Sequence, residues 1–168
     1  MGLKVKKTKL VTVGKVKIGG GKPIVLIAGP CVIESQSHVL NTAEKIKRAA
    51  SDADIPFIFK ASYDKANRSS IDSFRGPGLI KGLKSLEKIK QELNIPVLSD
   101  VHTVEEIEPA SQVLDVLQIP AFLCRQTNML IKTAKTGRAI NVKKGQFMAP
   151  WDMKNVVDKL SQSGCKKT

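Results

Sequence analysis

Short apolar blocks alternate along the chain with longer stretches whose apolar residues recur every three or four positions. Residues 9–18, KLVTVGKVKI, alternate around Gly14 and predict a small hairpin. Gly19-Gly20-Gly21 breaks the pattern, and the continuous run Ile24–Ala28 then predicts a strand covered on both faces. From His38 to Ala50, Val39, Ala43, Ile46 and Ala50 share one helical face, with Ser37 as the expected N-cap. Phe57–Phe59 is the next strand. Beyond a polar loop, a helix from about Leu79 carries Leu83, Leu86, Ile89 or Lys90, and Leu93, and Asn94 and Pro96 stop it. Val97–Ser99 is a third strand. Thr103-Val104-Glu105-Glu106 has capping-box form and starts a helix that Pro109 is expected to curtail. Val113–Ile119 reads as a strand, Phe122–Lys135 as a helix closed by Gly137, Ala139–Val142 as a strand and Trp151–Leu160 as a helix.

Five strand–helix units in succession predict an α/β protein with a parallel sheet. Two architectures satisfy that pattern. An open doubly wound sheet is complete at 168 residues. A TIM barrel needs eight units and roughly 250 residues, so the chain would be only part of one.

Composition narrows the function. The formal charge of +13 favours an anionic partner, whether nucleic acid, a membrane surface or a small anionic substrate. Aromatics make up only 4%, and neither an arginine-rich run nor zinc-finger spacing occurs, which weighs against a nucleic-acid reader. No apolar run approaches membrane-spanning length. Met1-Gly2 opens like an acylation signal, but Lys6 stands where Ser or Thr is required. Cys31, Cys124 and Cys165 are odd in number and far apart, so a disulfide framework is not expected and a reducing, cytoplasmic compartment is.

The polar residues that could do chemistry follow the strands. Cys31 comes after the first of these five strands. Lys60, Lys65, Asn67, Arg68, Ser69, Ser70 and Arg75 come after the second. Asp100 and His102 follow the third, Gln118 and Arg125 the fourth, and Lys143 and Gln146 the fifth. In either fold these strand ends share one rim, the usual ligand site. Arginine clamps a phosphate through paired donors and lysine adds a point charge, so the loop after the second strand suits a phosphorylated ligand. Each residue alone has a plainer reading. The loop could be solvated, Asp100 and His102 could cap a helix, Cys31 could be a small buried hydrophobe, and Gln118 could satisfy backbone groups.

Taken in order, IAGPCVIES, FKASYDKANRSSIDSFRGPG, LSDVH, QIPAFLCRQT and INVKKGQFMAPWDM resemble the 3-deoxy-D-manno-octulosonate 8-phosphate synthase family, from about Ile24 onward. The resemblance implies a (β/α)8 TIM barrel preceded by an N-terminal hairpin. Residues 1–20 would form the hairpin and 21–168 a partial catalytic barrel of about five βα units. It implies a homotetramer that condenses phosphoenolpyruvate with D-arabinose 5-phosphate for the lipopolysaccharide core. Lys60, Lys65 and Lys143 would hold phosphoenolpyruvate with Gln118 nearby. Asn67, Arg68 and Ser69 would hold the sugar phosphate, Arg125 would reach a phosphate across a subunit boundary, and Asp100 would line the sugar site.

Cys31 resembles the metal-dependent branch of that family, where the thiolate joins a His, a Glu and an Asp on a divalent ion such as zinc, iron or manganese. Those three ligands and a sixth-strand arginine would lie past Thr168, and Asn128 replaces the family's usual Asp. On that comparison the chain is the first five-eighths of the enzyme, with open sheet edges that would favour aggregation. Two other readings are a sister synthase using erythrose 4-phosphate, although that family resembles KPRTS where this chain has KANRSS, and a non-catalytic binding protein.

Overall fold

The computed structural model describes residues 8–168. The Met1-Gly2 start, Lys6 and the first residues of the expected 1–20 hairpin unit lie outside the described residues. Strands β1 (Val11–Val13) and β2 (Val16–Ile18) pair antiparallel through a two-residue turn, with Val13 opposite Val16. Gly14 opens that turn at φ 56°, a left-handed value that costs glycine little.

Five further strands make one parallel sheet: β3 (Leu26–Ala28), β4 (Phe57–Lys60), β5 (Val97–Asp100), β6 (Val116–Ile119) and β7 (Ala139–Val142). Their spatial order, β3-β4-β5-β6-β7, is also the chain order. A doubly wound sheet reverses its order at a switch point and this one does not. It is a curled half-barrel with its helices on the outer side. These are α1 (Gln36–Asp52), α2 (Leu79–Leu93), α3 (Val104–Val113), α4 (Thr127–Ala134) and α5 (Met153–Gln162).

Alternation along the strands separates two cores. Phe57, Phe59, Val97 and Leu117 face outward and pack with Val39, Ala43, Leu83, Leu86, Ile89 and Ile107 of the helices. Ile58, Leu98, Val116 and Ala139 face inward and pack against Val13 and Val16, so the hairpin fills the N-terminal end of the half-barrel. One step further along the same inward rows stand Lys60, Asp100, Gln118 and Asn141. Inward positions are therefore apolar at one end of the sheet and polar at the other.

Several local expectations change. Ser35, not Ser37, caps α1, its hydroxyl accepting from the His38 amide at 3.2 Å. Pro109 does not curtail α3, which runs on to Val113. The carbonyl left without its amide is that of Glu105, an exposed residue that water can satisfy. Glu106 does not close a box on Thr103; its carboxylate accepts from the His102 amide at 2.7 Å. β6 begins at Val116, because Val113 is still helical and the Asp115 carboxylate is occupied with the Val97 amide (3.0 Å) and Lys90 Nζ (2.8 Å). The helix expected over Phe122–Lys135 is split into a 3-10 turn, Ala121–Leu123, and α4. The last helix likewise opens with a 3-10 turn, Pro150–Asp152.

Gly29 sets how closely β3 approaches β4. A Cβ there would lie 1.9 Å from the Lys60 carbonyl oxygen, a contact with backbone that no side-chain rotation relieves. Gly29→Ala is expected to lose about 1–3 kcal/mol of stability through forced separation of the strands, and urea denaturation of both proteins checks it.

Candidate active site

At the C-terminal end of the sheet the polar inward residues open into a cavity of about 340 Å³. Lys60, Lys65, Asn67, Asp100, His102, Gln118, Lys143 and Gln146 line it, with Pro120, Ala121, Phe122 and Leu123 as the apolar wall. Lys60, Asp100 and Gln118 come straight from β4, β5 and β6, so their positions are fixed by strand register. Asp100 stands opposite Gln118, and Gln118 opposite Asn141. Asn141 Nδ2 donates to Gln118 Oε1 at 2.8 Å, which orients the amide.

Beneath the cavity a single buried hydroxyl joins the charges. Ser62 Oγ accepts from Lys60 Nζ at 3.0 Å and from Lys65 Nζ at 2.7 Å, and donates to Asp100 Oδ1. Two ammonium groups thus converge next to one carboxylate. Burial lowers the Lys60 pKa; the Asp100 carboxylate opposes that shift and the neighbouring Lys65 adds to it. Val32 bridges in parallel to Ser62, which puts the loop after β3 on the same rim. A backbone bond from the Ile33 amide to the Ser62 carbonyl, 2.9 Å, ties that loop to β4.

His102 is the second feature of the floor. Its Nε2 is buried, has no hydrogen-bond partner among the described residues, and lies 3.7 Å from Asp100 Oδ2. A buried polar atom without a partner is costly, and this one stands beside the carboxylate of Asp100, itself a cavity-lining residue.

The loop after β4 is folded on itself. The Lys65 amide donates to the Arg75 carbonyl at 2.8 Å, Arg68 Nε to the Phe74 carbonyl at 3.1 Å, and Arg75 Nε to Asp64 Oδ1 at 2.8 Å. Arg75 holds the Asp64 carboxyl below its ordinary pKa, chiefly through that hydrogen bond. This geometry leaves Arg68 and Ser69 exposed and outside the cavity wall. Arg125 lies elsewhere, in a separate cleft with Phe147, Asp152 and Lys159. Cys31 is an exposed free thiol. Among the described residues no three His, Cys, Asp or Glu side chains gather closely enough to hold a metal, so Cys31 alone makes no metal centre here. Nor is any helix among them long and apolar enough to cross a membrane.

Ser62 was not singled out in the sequence. Serine is common in loops, and this one matters only because β4 and β5 pair and bring Asp100 beside it.

Residues 3–168 match the model of the DAHP synthetase I family. The chain is 60% identical over 157 residues to a protein of Geobacter sp. (strain M21) named 2-dehydro-3-deoxyphosphooctonate aldolase, covering 94% of this chain and 58% of that protein. A protein of Citrifermentans bemidjiense with the same name is 60% identical over 154 residues, 92% of this chain and 56% of its own length. One from Geobacter sulfurreducens is 55% identical over 157 residues, again 94% and 58%. The chain therefore spans well under two thirds of the length of these relatives.

Two measurements check the charge cluster. Ser62→Ala removes the shared acceptor and leaves buried charges less well satisfied, so it is expected to cost about 1–3 kcal/mol in urea unfolding. The lowered pKa of Lys60 means that, above it, the unfolded chain binds more protons than the folded one. This group therefore adds stability as pH rises from its folded pKa toward the ordinary 10.5, and adds none below that window. Lys60→Met should abolish that part of the rise when unfolding is followed across alkaline pH.

Proposed function

Because the chain belongs to the DAHP synthetase I family, we propose that it carries the phosphoenolpyruvate site of an enzyme that condenses phosphoenolpyruvate with D-arabinose 5-phosphate. The products would be 3-deoxy-D-manno-octulosonate 8-phosphate, used for the lipopolysaccharide core, and inorganic phosphate. The observation that carries this reading is the convergence of Lys60, Lys65 and Lys143 on one cavity, two of them held together through Ser62.

Phosphoenolpyruvate brings a phosphate and a carboxylate on a three-carbon frame, and the three lysines neutralise both. Gln118, oriented by Asn141, adds a neutral donor. Asp100 and His102 take the side where the sugar aldehyde enters, and the buried Nε2 gives a hydroxyl or carbonyl oxygen its partner. With both substrates held, the enol carbon C3 of phosphoenolpyruvate attacks the aldehyde carbon, whose oxygen takes up a proton. Water adds at C2 of the phosphoenolpyruvate unit, and C–O cleavage releases phosphate. The cations let two phosphorylated anions approach each other and hold them in line, which supplies much of the acceleration of a bimolecular step. Asn67, Arg68 and Ser69 would bind the sugar phosphate when the exposed loop moves over the cavity. A divalent ion on Cys31 would need ligands from outside the described residues, and no step here is routed through one.

Arg125 lies with the exposed Phe147 in a cleft outside the cavity, which supports assembly as a homotetramer in which Arg125 serves a neighbouring site. A cytoplasmic location accords with the free thiols.

Calorimetric titration with phosphoenolpyruvate is expected to show saturable binding. Lys65→Ala and Lys143→Ala should each weaken it about 10- to 100-fold, the range for losing a hydrogen bond to a charged group. Phosphate release with arabinose 5-phosphate and not with erythrose 4-phosphate would fix the sugar. A chain that binds neither phosphoenolpyruvate nor sugar phosphate would refute the assignment.

A further inference from the structure

Glu106 lies outside the cavity, yet it is tied to both loops that build the cavity floor. Its Oε2 accepts from the Tyr63 hydroxyl at 2.7 Å and from the His102 backbone amide at 2.7 Å. Tyr63 directly follows Ser62, the residue that gathers Lys60, Lys65 and Asp100. The Tyr63 ring, fully buried, meets the His102 imidazole edge to face, with centroids 5.6 Å apart and planes at 80°. That ring has little room to move. A Cβ on Gly82 of α2 would fall 2.2 Å from the Tyr63 Cβ, so the helix packs directly on it. The Tyr63 carbonyl accepts from the Gly78 amide at 3.1 Å, which pins the backbone as well.

From this geometry we infer that Glu106 is a positioning residue: acting through Tyr63 and the His102 amide, it holds the His102 imidazole in one orientation, with Nε2 toward Asp100 and the cavity. The inference rests on the proposed activity only in giving that imidazole a ligand to meet. The imidazole ring itself receives no hydrogen bond at Nε2, so ring packing and the backbone bond are what fix Nε2. A free ring could turn its nitrogens away from Asp100 at little cost. Burial, and then the bond to Glu106, raises the Tyr63 pKa, so the hydroxyl stays a donor at all physiological pH. The carboxylate of Glu106 makes that bond charge-assisted.

The chain has two histidines, His38 and His102, so its imidazole NMR spectrum is assigned by one substitution, His38→Gln. Long-range proton–nitrogen spectra of the wild-type chain should show one sharp His102 ring pattern. Tyr63→Phe removes only the hydroxyl and keeps the ring, and Glu106→Gln keeps the size but not the charge. Both are expected to broaden or double the His102 pattern while leaving that of His38 unchanged. Glu106→Asp, which keeps the charge on a shorter arm, should recover part of the single pattern. If Glu106 serves only the helix end, both variants lower the melting temperature while the His102 ring signals stay single and sharp, and that outcome overturns the inference. Should Glu106→Gln not fold, Tyr63→Phe alone decides. Adding phosphoenolpyruvate separates the two proposals. A wild-type chain with an ordered His102 ring that ignores phosphoenolpyruvate would sink the proposed function and leave the positioning role standing.

Discussion

A strand in a parallel sheet turns every second side chain to the same side, and the molecule depends on how that row is filled. In β4, β5, β6 and β7 the first inward residue is apolar: Ile58, Leu98, Val116 and Ala139. The next is polar: Lys60, Asp100, Gln118 and Asn141. Dry packing at one end and polar chemistry at the other thus come from a two-residue spacing repeated on four strands. Slipping any one strand by a single residue would bury its polar side chain among the helices and break both halves at once.

The charges at the polar end are stable neighbours because Ser62 stands among them. Two ammonium groups and one carboxylate sharing a single hydroxyl form a compact network with a net positive charge facing the cavity. Burial disfavours the ammonium form of Lys60, so any anion held beside it would stabilise that form. The apolar residues Pro120, Ala121, Phe122 and Leu123 keep water from screening that attraction. In the loop after β4, Arg75 pairs with Asp64 and Arg68 is tethered to the Phe74 carbonyl, so both guanidinium groups are held in place although exposed.

Much of this arrangement could be read from the sequence because strands announce themselves. Ile24–Ala28, Phe57–Phe59, Val97–Ser99 and Ala139–Val142 are dense apolar blocks, and the polar residues at their ends mark the rim. What could not be read depends on distant partners. Ser62 gains its place from pairing between β4 and β5. The break between Ala121–Leu123 and α4 comes where the chain turns along the cavity wall, within a segment whose apolar spacing alone reads as one helix. Val113 is a good strand former that ends a helix, and the lysine and amide that Asp115 binds lie on other elements. The choice between open sheet and barrel was settled by strand order, which no local pattern encodes. Arg68 and Ser69 lie exposed beside the cavity rather than in its wall, and Arg125 lines a separate cleft, placements that depend on how the loops fold and not on any local pattern.

The hairpin at the closed end of the half-barrel has a bearing on how the protein reaches its structure. β1 and β2 lie at the beginning of the chain, but the surface that buries Val13 and Val16 includes Val116 and Ala139 near its other end. A two-stranded hairpin is at best marginal in water by itself. Its contacts with Val116 and Ala139 join residues about 100 or more positions apart and so carry a large loop-closure entropy. Such contacts slow folding. Whenever the hairpin is undocked, the inner row from Ile58 to Ala139 loses its cover and becomes an apolar surface open to wrong association.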